Sequence, residues 1–157
     1  MKIKLITMGL SDDGYLAEGL ADYEKRLRRY CSYERLEIPN VKNAAALSKE
    51  ELKIKEGQLF MGKMSEGDQV VLLDEKGKMY GSTEFSEFLQ VRMNGGTKQL
   101  VFLIGGAYGF SDELHQRAQF KLSLSKMTLT HQMVRLFFTE QLYRAHTILK
   151  GEKYHHE

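Results

Sequence analysis

Three short stretches of the 157-residue chain combine small or hydroxylated residues with a position just behind an apolar run. LIGGAYGF (Leu103–Phe110) sets Gly105, Gly106 and Gly109 directly after a hydrophobic segment. Two adjacent glycines and a third three positions on do not make the G-x-G-x-x-G spacing of dinucleotide folds. They fit either a tight turn that needs positive φ or a backbone left bare so that a ligand can press against it. LDEKGK (Leu73–Lys78) ends another apolar run and reads as a turn at Gly77. LSLSKMTLT (Leu122–Thr130) is the third stretch. Ligands of open α/β sheets collect at the carboxyl ends of strands. Three such ends converging predict one pocket lined largely by backbone, suited to a flat, uncharged group such as adenine. No acidic residue stands where a Rossmann ribose acceptor is expected, which argues against NAD. GQLFMGK (Gly57–Lys63) matches seven positions of a P-loop, but Met64 replaces the Ser or Thr that holds magnesium, and the match lies inside a helical pattern.

Charged side chains enter next. The stretch from His131 to Ala145 is apolar on nearly every side through Met133, Val134, Leu136, Phe137, Phe138, Leu142 and Tyr143, yet it holds Arg135, Glu140 and Arg144. Glu140 and Arg144 are spaced i,i+4, the separation of an ordinary helix-surface ion pair. Here little surface is left for one. A helix apolar all round must be covered on both sides, by its own domain and by another copy of the chain. Charges in such a place are costly unless they pair or face a site. His131 reads as a helix cap or a solvated residue.

The elements that position these residues follow from periodicity. KIKLITMG, YERLEIP, DQVVLLDEKG, QLVFLIGG and QFKLSLS read as strands. A helix spans Ser11 to Tyr30 through Leu16, Leu20, Tyr23, Leu27 and Tyr30. Ser48 with Glu51 is a capping box for a helix reaching Met64. Ser82 or Thr83 caps a helix ending at Asn94-Gly95-Gly96, Ser111 starts another, and a long helix begins near Thr130. This alternation predicts a single α/β domain over residues 1–157, with a mainly parallel sheet flanked by helices.

Composition narrows the class. A hydrophobic share of 42% and a charged share of 28% describe an ordinary globular chain, and a net charge of +2 does not by itself call for nucleic acid. Basic residues do cluster locally: EKRLRRY (Glu24–Tyr30) carries four, and Lys126, Arg135, Arg144, Lys150 and Lys153 fall in the last thirty-two positions. The single cysteine, Cys31, excludes an intramolecular disulfide and a Cys-based zinc site. The amino terminus has no signal-peptide pattern, and no stretch reaches membrane-spanning length, so the expectation is a cytoplasmic protein without membrane or metal.

FLIGGAYGF, LSLSKMTLTHQMVRLFFTEQLYRA, the terminal YHHE and the DYEKRLRRY of the first helix together resemble the ribosomal RNA large-subunit methyltransferase H family, within the SPOUT superfamily of knotted methyltransferases. The resemblance spans the whole chain. Thr130 stands where family members usually have proline, and LSDDG replaces a basic residue common after the first strand. The resemblance implies a homodimer with a carboxyl-terminal deep trefoil knot that uses S-adenosylmethionine. Its substrate would be N3 of a pseudouridine in a hairpin loop of 23S rRNA on the assembled ribosome. Carried over by position, Leu73, Gly105, Gly106 and the segment Leu124, Ser125, Lys126, Met127, Thr128 and Leu129 would hold the cofactor. The general base stays open among Glu140, His131, His155 and His156. Arg135 or Arg144 would stabilise charge on the uracil oxygens, and Tyr154 would stack on a base. The resemblance also admits a SPOUT enzyme acting on tRNA, or a ribosome-associated factor without catalysis.

Overall fold

The structure is a computed structural model and describes residues 1–156. Five strands form one sheet: β1 (Lys2–Met8), β2 (Ser32–Ile38), β3 (Gln69–Met79), β4 (Gln99–Ile104) and β5 (Phe120–Ser123), in the order β2-β1-β4-β3-β5. Every neighbouring pair is parallel, as the alternation of strand and helix predicts. The connecting helices are α1 (Tyr15–Leu27), α2 (Lys49–Met61), α3 (Ser82–Asn94), α4 (Asp112–Arg117) and α5 (His131–Leu149).

Side chains alternate across each strand, so β4 sends Leu100, Phe102 and Ile104 to one face and Val101 and Leu103 to the other. The first face packs against Leu27 of α1, Phe85, Phe88 and Leu89 of α3, and Phe138, Leu142 and Ala145 of α5. The second packs against Phe60 of α2 and Leu114 of α4, with Phe110 between them. A sheet covered on both faces explains why its central strands read as continuous apolar runs.

Helix starts follow local chemistry. Ser48 and Glu51 make the expected capping box, at 3.1 Å and 2.7 Å. Thr130 caps α5 by accepting the Met133 N–H at 3.2 Å, which leaves the helix start intact without proline. The ends of α1 and α2 fall at Leu27 and Met61 rather than at Tyr30 and Met64, and three further expectations shift. α3 is capped at Gly81 rather than Ser82 or Thr83, because Glu84 reaches back to the Gly81 N–H at 2.7 Å. α1 begins at Tyr15, not Ser11, because Glu37 of β2 holds both the Ser11 N–H and its hydroxyl and keeps that residue out of the helix. LDEKGK is not a turn beyond a strand end. β3 runs on to Met79, and both Leu73 and Lys78 pair with Leu122 of β5, so residues 74–77 arch out and return to the same partner.

Candidate active site

The carboxyl ends of β4 and β5, with the irregular stretch of β3 at residues 73–76, enclose a cavity of about 660 Å³. Leu73, Gly105, Gly106, Leu124, Ser125, Lys126, Met127, Thr128 and Leu129 all line it, as does His131. The convergence expected from three separate stretches is therefore present in space. Ile104, Phe110 and Val134 add apolar wall, and Lys53, Asp74, Tyr108, His115 and Lys121 add polar groups.

Each glycine in the β4–α4 loop has its own reason. Gly109 lies at φ +80, the left-handed region that favours glycine. Gly105 and Gly106 do not need positive φ; they are small because the protein itself presses on them. A Cβ on Gly105 would come 3.0–3.3 Å from the Phe110 ring, and one on Gly106 would come 2.5 Å from both carboxylate oxygens of Glu56. The Leu124–Leu129 loop is tied by its own hydroxyls: Ser123 donates to the Ser125 carbonyl at 3.1 Å, and the Ser125 hydroxyl accepts the Met127 N–H at 2.9 Å.

His131 is positioned at the rim by a hydrogen bond from Nε2 to the Met8 carbonyl. With the proton on Nε2, Nδ1 is left as an acceptor. Arg135 reaches the same Met8 carbonyl but, unlike His131, is fully buried and lines no part of the cavity. Its guanidinium donates to the carbonyls of Met8 and Gly9 at 3.0 and 2.8 Å, to the Ser11 hydroxyl at 2.8 Å and to Glu37 at 3.3 Å. Burial pulls its pKa down and Glu37 opposes that shift. Arg135 thus ties the β1–α1 loop to β2, and its guanidinium is engaged by its own chain rather than offered to a substrate. Arg135→Lys keeps the charge but loses the fork that spans four acceptors. Partial loss of such a buried cluster should cost about 2–3 kcal/mol, lowering the melting temperature by roughly 4–12 °C. Scanning calorimetry checks this, and a melting temperature within 1 °C (about a quarter of the smallest expected shift) of the unsubstituted chain would contradict the role.

The remaining candidates assemble elsewhere, at the carboxyl end of α5. Glu140 accepts from Arg144 at 2.6 and 3.1 Å, from the Tyr154 hydroxyl at 3.0 Å and from Gln141 at 2.7 Å. A carboxylate with both oxygens occupied is better placed to fix its donors than to take a proton. Arg144 lies 4.7 Å from the Tyr154 ring centroid and within 3.4 Å of His155 Nδ1. The bond to Glu140 raises the Arg144 pKa, so its charge is secure. Burial, with hydrogen bonds to Tyr23 and Glu140, pushes the Tyr154 phenol up and keeps it protonated. His156 is exposed, and Glu157 lies outside the described residues.

Sequence reasoning missed two participants. Asp74 lines the cavity and stands next to Leu73 in a stretch already singled out, so adjacency was a usable signal. Tyr23, whose hydroxyl is 3.2 Å from that of Tyr154, left no such signal, because in α1 it reads only as one step of an amphipathic face. Among the described residues no group of three or more His, Cys, Asp and Glu could hold a metal ion, and no helix is long and apolar enough to cross a membrane.

A family model described as "Predicted SPOUT methyltransferase" matches residues 1–155. A relative from Cytophaga hutchinsonii named Ribosomal RNA large subunit methyltransferase H is 54% identical over 156 residues, covering 99% of this chain and all of the relative. A protein of the same name from Flavobacterium johnsoniae is 53% identical over the full length of both. Among solved structures, a probable methylase family protein from Haemophilus influenzae Rd KW20 superposes with a TM-score of 0.54 at 10% identity, covering 99% of this chain and 70% of that one; the likeness is one of fold. With a family model spanning nearly every residue and relatives half identical from end to end, this chain belongs to the SPOUT methyltransferase family and is a methyltransferase.

Proposed function

We propose that this protein uses S-adenosylmethionine to methylate N3 of a pseudouridine in a hairpin loop of the large-subunit rRNA, on the assembled ribosome. The substrate class rests on the relatives, whose names specify the large-subunit ribosomal RNA. One observation carries the mechanistic part: the candidate residues divide into a pocket group and a tail group. Glu140, Arg144, Tyr154 and His155 line no part of the pocket formed by their own chain. A second copy, related by two-fold symmetry, supplies the missing half. Support for a homodimer comes from apolar side chains left outside, Phe137 on α5 at 38% exposure with Leu10 at 57% and Tyr15 at 78% near the same helix pair. Gln132 of α5 holds the Leu10 carbonyl at 3.1 Å and Leu136 lies against Gly19 of α1, so Leu10 sits where α1 and α5 meet.

The pocket suits the cofactor on its own terms. Leu73, Ile104, Phe110 and Leu129 offer flat apolar wall, backbone groups of the glycine loop offer donors and acceptors, Asp74 can accept from hydroxyls, and Lys53 can meet a carboxylate. When bound, the cofactor supplies a sulfonium-activated methyl group. The chain's own work is to orient the uracil ring and to remove one proton from N3. His131 receives it at Nδ1, the candidate base that both lines the pocket and has a free acceptor position. Arg144, held by Glu140 of the partner-supplied tail group, faces the oxygens that gain negative charge, and Tyr154 stacks on the exposed base. In this reading the carboxyl-terminal part is threaded as a trefoil knot. The enzyme then works in the cytoplasm, where ribosomes are.

The test supplies purified protein and S-adenosylmethionine with ribosomes from a strain lacking the modification, and reads the rRNA by mass spectrometry. Methylation of one pseudouridine on assembled ribosomes is expected, with little on naked 23S rRNA and with binding that weakens steeply as salt rises. Comparable turnover on a bare hairpin would overturn the ribosome requirement, and no methyl transfer to either would overturn the substrate.

A further inference from the structure

We propose that Asp74 and His115 form a clamp that holds one ribose hydroxyl of the cofactor between them and gives the pocket its preference for an intact ribose. The proposal rests on the reading above, that S-adenosylmethionine occupies this pocket. The two residues come from different walls, Asp74 from the arch of β3 and His115 from α4. Both line the cavity, and both side chains keep part of their surface exposed. His115 Nε2 and Asp74 Oδ2 face each other at 3.9 Å. That is too long for a direct hydrogen bond, yet it leaves both atoms within reach of a single oxygen lodged beside them.

Local contacts hold both side chains in place. Asp74 Oδ1 accepts the Lys76 N–H at 2.9 Å, so the arch itself fixes the carboxylate, and Oδ2 accepts from no described residue. The imidazole meets the Phe110 ring edge-on, at 84° with centroids 6.2 Å apart. Its Nδ1 is buried and has no hydrogen-bond partner among the described residues. Buried N–H groups are rarely left without an acceptor, so the proton belongs on Nε2. Stranding Nδ1 gives the fold nothing, and phenylalanine would pack against Phe110 without that cost. What accounts for a histidine here is Nε2, the nitrogen that faces Asp74.

The pair therefore offers a donor, Nε2–H, beside an acceptor, Oδ2. A group that satisfies both must accept and donate at once. The ammonium and the adenine amino group of S-adenosylmethionine only donate. Its carboxylate and ring nitrogens only accept, and the carboxylate is repelled by Asp74 besides. The two ribose hydroxyls alone do both. The clamp thus selects the sugar by the order of donor and acceptor, and the Asp74 charge strengthens the bond that the hydroxyl donates.

The test uses S-adenosylhomocysteine, which carries the same adenosine, together with its 2′-deoxy and 3′-deoxy analogues. Titration calorimetry measures their binding to the unsubstituted protein, to Asp74→Asn and to His115→Phe, and scanning calorimetry reads stability alongside. The unsubstituted protein should bind one deoxy analogue roughly ten- to hundred-fold more weakly than S-adenosylhomocysteine, the loss of a charge-assisted hydrogen bond and a neutral one. Asp74→Asn keeps an oxygen for the Lys76 N–H but sets an amide donor against Nε2–H, and should narrow that ratio to below about three-fold. His115→Phe keeps the ring against Phe110, should not lower the melting temperature, and should narrow the ratio by roughly three-fold. A purely structural role for these side chains would weaken all three ligands equally, and a ratio left unchanged in the variants overturns the proposal. So does an unsubstituted protein that binds both deoxy analogues as tightly as S-adenosylhomocysteine. If Asp74→Asn fails to fold, His115→Phe decides by the same ratio. Absence of S-adenosylhomocysteine binding by the unsubstituted protein would instead refute the cofactor reading itself.

Discussion

Gly77→Ala is expected to break the edge of the sheet and empty the pocket together. A Cβ at this position would lie 2.5 Å from the Leu122 nitrogen, 2.6 Å from the Lys121 carbonyl carbon and 2.7 Å from that of Leu122. All three are backbone atoms of β5, so no side-chain rotation relieves the overlap. Gly77 is not among the glycines at positive φ; the constraint is steric only. Leu73 and Lys78 share the partner Leu122, so pushing Gly77 off β5 undoes the pairing on both sides of the arch. It also displaces Leu73 and the start of the Leu124–Leu129 loop, which are pocket wall. Overpacking against rigid backbone should cost about 3 kcal/mol, a fall of roughly 6–12 °C in melting temperature for a chain of this size. Cofactor affinity should be lost with it. Scanning and titration calorimetry on the same preparation read both, and a Gly77→Ala protein that melts and binds as before would show that Gly77 does not press on the backbone of β5.

Pairing two dead variants should restore methyl transfer. Gly105→Val drives a branched side chain into the Phe110 ring, which is nine-tenths buried, and deforms the pocket. Deletion from Tyr154 onward removes the phenol and imidazole that Glu140 and Arg144 hold, while leaving the pocket untouched. Each homodimer should be inactive. In a mixed dimer, the deleted subunit contributes an intact pocket and the valine subunit an intact tail, so one site of two is complete. Random exchange makes about half the dimers mixed, and the expected recovery is roughly a quarter of full activity. The measurement is methyl transfer to ribosomes after mixing, with mass spectrometry confirming heterodimers. Heterodimers without activity would mean that each chain completes its own site.

Much of the scaffold was legible because it depends on neighbours in sequence. Ser48 with Glu51, Ser111 and Thr130 each mark a helix start within three residues of the group they cap. The alternation of strands with helices is equally local, and the parallel sheet follows from it. The shifted start of α1 was not legible, because what holds Ser11 is Glu37, twenty-six residues away on β2. Arg135 shows the same limit from the other side. Its type suggested contact with an anion of the substrate, but its partners lie in its own chain about a hundred residues or more earlier: the Glu37 carboxylate, the Ser11 hydroxyl and the carbonyls of Met8 and Gly9.

The chain by itself determined which segments become strands and helices, the parallel class of the sheet, and the three loops that meet as a pocket, since periodicity, capping and glycine placement act over a few residues. Tertiary structure alone decided why those glycines are glycines and which charged residues face a site. Gly105 and Gly106 are small because Phe110 and Glu56 press on them, Gly77 because it lies against the backbone of β5. Glu140 and Arg144 gather Tyr154 and Tyr23 at one end of α5, while His131 stands at the pocket. The physical reason is the same in each case: steric exclusion and hydrogen bonding depend on distance in space, and folding brings together residues whose separation in sequence carries no trace of that distance.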